Sequence, residues 1–290
     1  MSKSVSLLYG LSGDHAILET FRAAVHESMC EMEGELKTRV RKGGRETERT
    51  TGNMVWAEFI HTTSCPVGGL CDPQLHAYVF VFNMTWDAQE GCWKAGFFRD
   101  IKRDAPYFQA AFRVRLANRL LDQGLGVERR QDDFEIQGIP EDMPKRFSRR
   151  TELIERLARE RGITDPRWKA ELGPRTREKN GPPCGLAALR KEWKSRLTRE
   201  EWQALACVCL RARPFPSLPN GEVTAVDQAI QHCFGQHAVV PERTLLAEAL
   251  KRGIGAVTVE QVMREVASRP LARTEVDGRA WVHAGEMSPE

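Results

Sequence analysis

The chain has 290 residues, long enough for one large or two modest domains with a sizeable core. Its formal net charge is only +3, yet residues 145–200 hold 17 Lys and Arg against 8 Asp and Glu, a balance that suits either a phosphate backbone or a solvated helical face. Eight scattered cysteines, no signal peptide and no apolar run of membrane-spanning length argue against a disulfide scaffold or a membrane protein and predict a reduced, cytoplasmic chain.

Residues 2–8 read as a buried strand. Ser12 or Asp14 caps a helix to Gly34 whose core face is Ile17, Phe21, Val25, Met29 and Met32. Residues 37–42 alternate as a strand, turn at Gly43-Gly44 and return over 45–51. Arg39, Arg41, Lys42 and Arg45 make this hairpin basic, suited to phosphates or to plain solvent. A strand over 54–60 delivers His61. A loop of small residues, Pro and Gly follows, and Pro73-Gln74-Leu75-His76-Ala77-Tyr78 runs into an apolar strand ending at Phe82 and Asn83. Trp56, Trp86 and Trp93 are spaced among strands, where core packing is favoured over base stacking.

Residues 93–98 form the next strand, and a helix reaches Leu121 with Gly124 as its left-handed cap. Residues 127–130 and 134–137 read as a hairpin. Ser148 starts a helix ending at Gly162, and Asp165-Pro166 starts another. Residues 173–185 are basic and rich in Pro and Gly, a domain boundary. Leu186, Leu189, Trp193, Leu197 and Leu205 stripe a single helix to Leu210, and 211–221 form a second linker. The end of the chain holds helices over 225–234, 241–251 and 259–268, with Thr258 and Gln261 as a capping box. A hairpin over 271–283 turns at Asp277-Gly278. Three helices and a hairpin build a winged-helix-like unit. The predicted domains are 1–172, a basic linker and helix over 173–212, and a small domain over 213–290.

His76 and Tyr78 are two apart on one strand and so share a face. With His61 on a neighbouring strand, two imidazoles and a phenol make a site for a divalent metal. Phenols, with pKa ~10, are poor ligands at neutral pH, so the third position weakens the site. His61, Cys65, Cys71 and His76 form an alternative mixed zinc set whose spacing matches no established module. No phosphate-binding loop of the Gly-x-x-x-x-Gly-Lys-Ser/Thr type exists, so no ATP site is expected.

The stretch from His61 to Asn83 resembles the metal motif of the MobF class of conjugative relaxases (TrwC/TraI type). In that family a His is followed by Thr-Ser-Arg, a short loop, Pro-Gln-Leu-His-Thr-His and an apolar strand ending in Asn. His61 and His76 fill the first two ligand positions, Tyr78 stands at the third His, and Cys65 stands at the Arg. Residues 99–140 are similar to the family's Arg-Asp-x-Lys-x-Asp-Ala-x-Tyr helix entry and its Gly-x-Gly-Val-Glu and Phe-Glu-Ile-x-Gly-Ile-Pro runs. Lys3 to Leu7 match the end of its Phe-Ser-x-Pro-Lys-Ser-Val-Ser-Leu segment, and residues 147–150 its Phe-Ser-x-Arg.

The resemblance implies an α+β fold: a relaxase-type antiparallel sheet (HUH endonuclease-like, lacking its first strand) flanked by helices, plus a small helical C-terminal domain with a hairpin. The implied function is DNA strand transfer in conjugation, in which a tyrosine nicks single-stranded DNA at a transfer origin beside a His-bound divalent metal, Mg, Mn or Zn. Here His61, His76 and Tyr78 would hold the metal. Lys3, Ser4, Arg41, Lys42, Arg99, Lys102, Arg149 and Arg150 would meet DNA. The family's nucleophilic tyrosines precede the segment where this sequence begins. None of Tyr9, Tyr78 and Tyr107 sits at that position, so no residue is assigned as catalytic. The expectation is an N-terminally truncated, catalytically impaired relaxase that retains single-stranded DNA binding. Its other partners would be relaxosome proteins or a separate N-terminal fragment. A non-catalytic DNA- or partner-binding protein on the same scaffold, and a gene remnant, stay open as alternatives.

Overall fold

The computed structural model describes residues 2–178, 185–210 and 220–284. The chain is α+β, and its recorded antiparallel pairing is spread over several small sheets. Among the described residues no helix is long and apolar enough to cross a membrane.

The N-terminus corrects the first expectation, because Lys3–Ser12 is a helix, α1, and not a strand. Ser4 through Leu11 are all buried. A helix buried all round shows no amphipathic period and reads like a buried strand. Ser2 caps it, accepting from the Val5 amide, and Gly13 closes it at φ 72°. Helix α2 (His15–Gly34) follows, started by Asp14, which accepts from the Ala16 amide. Strands β1 (Lys37–Lys42) and β2 (Arg45–Thr50) form the expected hairpin. Strands β3 (Trp56–Thr63) and β4 (Pro73–Val81) pair as a two-stranded ribbon. Phe59, Phe80 and Phe82 remain about half exposed there.

The strand expected over 93–98 is split. It forms β6 (Cys92–Lys94), paired with β5 (Thr85–Asp87), and β7 (Gly96–Phe97), paired with β1. Ala95 lies between them and its carbonyl accepts from the Thr38 hydroxyl. Helix α3 (Arg99–Arg103) leads into α4 (Ala105–Asp122), and Gly124 adopts φ 80° after it. Strands β8 (Val127–Arg130) and β9 (Asp133–Ile136) make the next hairpin. Helices α5 (Asp142–Arg146), α6 (Arg149–Glu160) and α7 (Pro166–Arg175) follow. Helix α7 runs through Gly173 and Pro174, past the expected boundary.

The single helix expected to reach Leu210 is two, α8 (Leu186–Ser195) and α9 (Arg199–Leu210). The break is a reciprocal cap. The Thr198 amide donates to the Glu201 carboxylate, and the Glu201 amide donates to the Thr198 hydroxyl. Most of the linker expected over 211–221, and the end of the basic stretch at 179–184, lie outside the described residues. Helix α10 (Gly221–Phe234), strand β10 (Val239–Pro241), helices α11 (Glu242–Arg252) and α12 (Val259–Ser268), and strands β11 (Leu271–Val276) and β12 (Arg279–Ala284) complete the chain. The sheet order β10-β12-β11 places the expected hairpin beside a third strand, and the Thr258–Gln261 capping box is present.

Two compact units result. The first comprises Met1–Leu18, Ile60–Tyr78 and Glu135–Ala212, and the second Glu19–Phe59, Val79–Phe134 and Arg213–Glu290. In the first unit α1 is pinned from several sides. The Ser6 hydroxyl accepts from the Leu75 amide, and the Ser4 hydroxyl from the Ile136 amide. A Cβ on Gly10 would lie 2.7 Å from the Pro73 Cβ and 3.2 Å from the Trp193 ring, so only glycine allows this approach. Trp193 is fully buried and its indole donates to the Cys71 carbonyl at 2.8 Å.

In the second unit α11 packs along α4. Arg243 lies over the Tyr107 ring at 4.1 Å, and Tyr107 donates to Glu31 at 2.6 Å. Burial, then the Glu31 carboxylate, pushes the Tyr107 hydroxyl well above its usual range.

Candidate metal and nucleic-acid site

The pairing of β3 with β4 brings His61, His76 and Tyr78 together, as their spacing predicts. Ring centroids are 5.4 Å apart for His61 and His76, 5.0 Å for His61 and Tyr78, and 5.1 Å for His76 and Tyr78. His61 is exposed, and Tyr78 is 53 % exposed, so the cluster opens to solvent. The His76 Nδ1 lies 3.0 Å from the Gln74 carbonyl oxygen. That bond, made as a donor, fixes the tautomer and leaves Nε2 free as a ligand, the usual arrangement of metal-bound imidazoles. The donor set suits a divalent metal at two positions and offers a weak phenol at the third.

Cys65 and Cys71 are half-buried, and neither is in a disulfide. Among the described residues no three His, Cys, Asp or Glu side chains gather as a metal site, so the mixed zinc alternative gains no support.

The residues expected at DNA divide between the two units and differ in availability. Lys3 is exposed, and its ammonium donates to the Ser148 hydroxyl at 2.8 Å. Ser4 is buried, and its hydroxyl accepts from the Ile136 amide. Arg149 donates to Asp72 through its backbone at 2.9 Å and its Nε at 3.1 Å. Arg150 donates to the Thr176 carbonyl at 2.9 Å and to the Gly173 carbonyl. Ser148 stands before α6 without capping it. It donates to Pro144, and Asp72 receives the first α6 amide in its place.

In the second unit Arg41 pairs with Glu46 across the hairpin, while Lys42 and Lys102 are exposed. Arg99 bonds Glu48 and lies 4.9 Å from the Phe97 ring, with Arg39 over the same ring at 4.5 Å. Cross-strand glutamates therefore offset much of the hairpin's positive charge.

Two features escaped the sequence. Asp72, 3 % exposed, accepts from Arg149 and also from Arg196 at 2.9 Å, joining the start of β4 to α6. An acidic residue beside a loop proline carries no such signal locally. Trp86 and Trp93, expected to pack in the core, instead form an exposed edge-to-face pair at 5.5 Å on the β5–β6 hairpin. Their hairpin is held from beneath by Asp87, whose side chain is 1 % exposed and pairs with Arg49 at 2.7 Å and Lys94 at 3.0 Å.

Comparison with known proteins joins these observations. A family model described as TrwC relaxase matches residues 1–200. The multifunctional conjugation protein TraI of Escherichia coli is 30 % identical over 186 residues, covering 60 % of this chain and 10 % of that protein. TraI of Escherichia coli strain K12 is 28 % identical over 194 residues, covering 62 % and 10 %. The chain thus spans about a tenth of the length of these curated relatives. Among solved structures, TrwC complexed with a 27-mer DNA comprising the recognition hairpin and the cleavage site aligns with TM-score 0.63 at 28 % identity, covering 71 % of each chain. The metal-bound structure of conjugative relaxase TrwC with oriT DNA aligns at 0.62 and 30 %, covering 67 % of this chain and 66 % of that one. With a family model matched over more than half its length, and motif, fold and cluster in agreement, the chain belongs to the TrwC relaxase family.

Proposed function

We propose that this chain binds single-stranded DNA on its first unit and positions a divalent metal beside it at His61, His76 and Tyr78. The observation that carries the reading is the convergence of the three rings within 5.4 Å of one another on one ribbon, in a fold shared with a relaxase whose structures hold oriT DNA and metal. When bound, the metal would polarise phosphate oxygens. The imidazoles would hold it, and the Gln74 carbonyl would orient His76.

The tyrosines of this sequence are poorly placed for strand cleavage. Tyr9 is 6 % and Tyr107 1 % exposed, and the Tyr107 hydroxyl is spent on Glu31. Only Tyr78 stands open, in a ligand position. This favours a DNA- and metal-holding role without a nucleophile of its own.

The test is fluorescence anisotropy with labelled single-stranded and duplex oligonucleotides, in Mn²⁺ and in EDTA, across a salt series. Expected are a preference for the single strand, a salt slope of about −0.7 per phosphate contacted, and a Mn²⁺ enhancement that His61→Ala removes. Equal, salt-insensitive binding of both forms would sink the reading.

A further inference from the structure

The first unit contains a cavity of about 220 Å³ that the metal cluster does not use. Lys3, Ser64, Gln74, Phe147, Arg150 and Thr151 are on its wall. It is smaller than the ~300–1,000 Å³ of sites for drug-sized ligands, yet larger than a single water or ion needs.

Its charge is unbalanced. Asp72, also on the wall, is already matched by Arg149 at 3.0 Å and Arg196 at 2.9 Å. Among the described residues neither Lys3 nor Arg150 forms an ion pair. Lys3 spends one N–H on the neutral Ser148 hydroxyl, and Arg150 donates to backbone carbonyls. Glu178 is held below the usual carboxylate range first by the amides of Gly68 and Gly69 and last by the charge of Arg150. Its two oxygens are engaged by those amides at 2.8 and 3.1 Å. Lys3 and Arg150 thus leave an excess of positive charge on the wall of one small cavity, which suits a compact dianion.

A phosphodiester carries one negative charge, whereas a terminal phosphate carries close to two at neutral pH. We infer that the cavity binds the terminal phosphate of a nucleotide, either a free mononucleotide or a phosphorylated strand end, with Lys3 and Arg150 as its charge partners. The strand-end source rests on the single-strand reading above. The cavity lies close in sequence to the cluster, because Gln74 on its wall also bonds His76.

The test uses the full chain and one fluorescent single-stranded oligonucleotide carrying 5′-hydroxyl, 5′-phosphate or 3′-phosphate ends. Thymidine monophosphate, thymidine and inorganic phosphate serve as competitors and as thermal-shift ligands. A phosphorylated end should bind roughly tenfold tighter than the hydroxyl end. Thymidine monophosphate, but not thymidine, should abolish that preference, and Lys3→Gln, shown folded by circular dichroism, should bring the ratio to about one. Oligonucleotide binding without end preference, and without a thermal shift by thymidine monophosphate, overturns the inference. If no oligonucleotide binds but the mononucleotide raises the wild-type Tm and not that of Lys3→Gln, the single-strand reading fails and the cavity stands as a mononucleotide site. If neither binds, both fail.

Discussion

Replacing Asp72 by Asn should loosen the first unit. Asp72 is 3 % exposed and accepts from the Arg149 amide and Nε and from the Arg196 guanidinium, tying the start of β4 to α6 and α8's trailing turn. Asn keeps the shape and one carbonyl oxygen but removes the charge that two guanidiniums share. Breaking a fully buried ion pair costs about 3–5 kcal/mol. The guanidiniums here retain 24 % and 19 % exposure, so water recovers part of that. The expected loss is therefore about 2–3 kcal/mol, or roughly 5–10 °C in Tm. Urea unfolding followed by far-ultraviolet circular dichroism measures it. Asp142→Asn, which removes a surface pair with Lys145, serves as control and should stay within about 0.5 kcal/mol. If Asp72→Asn matches that control, the junction is not what holds β4 to α6.

Other expectations follow the same geometry. Tyr78→His supplies a third imidazole and should tighten Mn²⁺ binding at least roughly tenfold, while His61→Ala should weaken it by a similar factor. Calorimetric titration in which neither variant moves the affinity would remove the metal from the cluster. Gly10→Ala forces a methyl against Pro73 and should cost about 1–3 kcal/mol by overpacking, read from thermal unfolding. For Asp87, burial alone would raise the carboxyl, but hydrogen bonds from Lys94, Arg49 and the amides of Gln89 and Glu90 hold it at about 2. A depressed folded value means its stabilisation is complete above the ordinary value of 3.8 and is lost as pH falls through about 2. Tryptophan emission should report loss of the β5–β6 hairpin in that window, and Asp87→Asn should lose this acid step. An identical acid profile in wild type and variant would contradict the assignment.

The cluster was legible because it needs only two local rules: alternation along β4, and adjacency of two strands joined by one loop. The hairpin turned at Gly43-Gly44 and the capping box at Thr258 were legible for the same reason, each being a pattern within a few residues. Helix α1 was hidden because its apolar positions have no polar counterface from which to read a period. The break between α8 and α9 did carry a signal, the Thr198-x-x-Glu201 cap, which the leucine stripe through Leu197 masked. Asp72 with Arg196, and Lys3 with Ser148, are joined across more than a hundred residues, so no local rule could place them.

The β3–β4 ribbon has one more consequence, for colloidal behaviour. Neither strand has a further neighbour among the described residues, and Phe59, Phe80 and Phe82 project from the ribbon without a flanking lysine to discourage edge-to-edge contact. Solubility should then be limited by this one element, since adhesive strand edges with apolar faces nucleate association in proportion to concentration. Light scattering that rises with protein concentration and falls on Phe80→Lys would trace precipitation of this protein to a single strand.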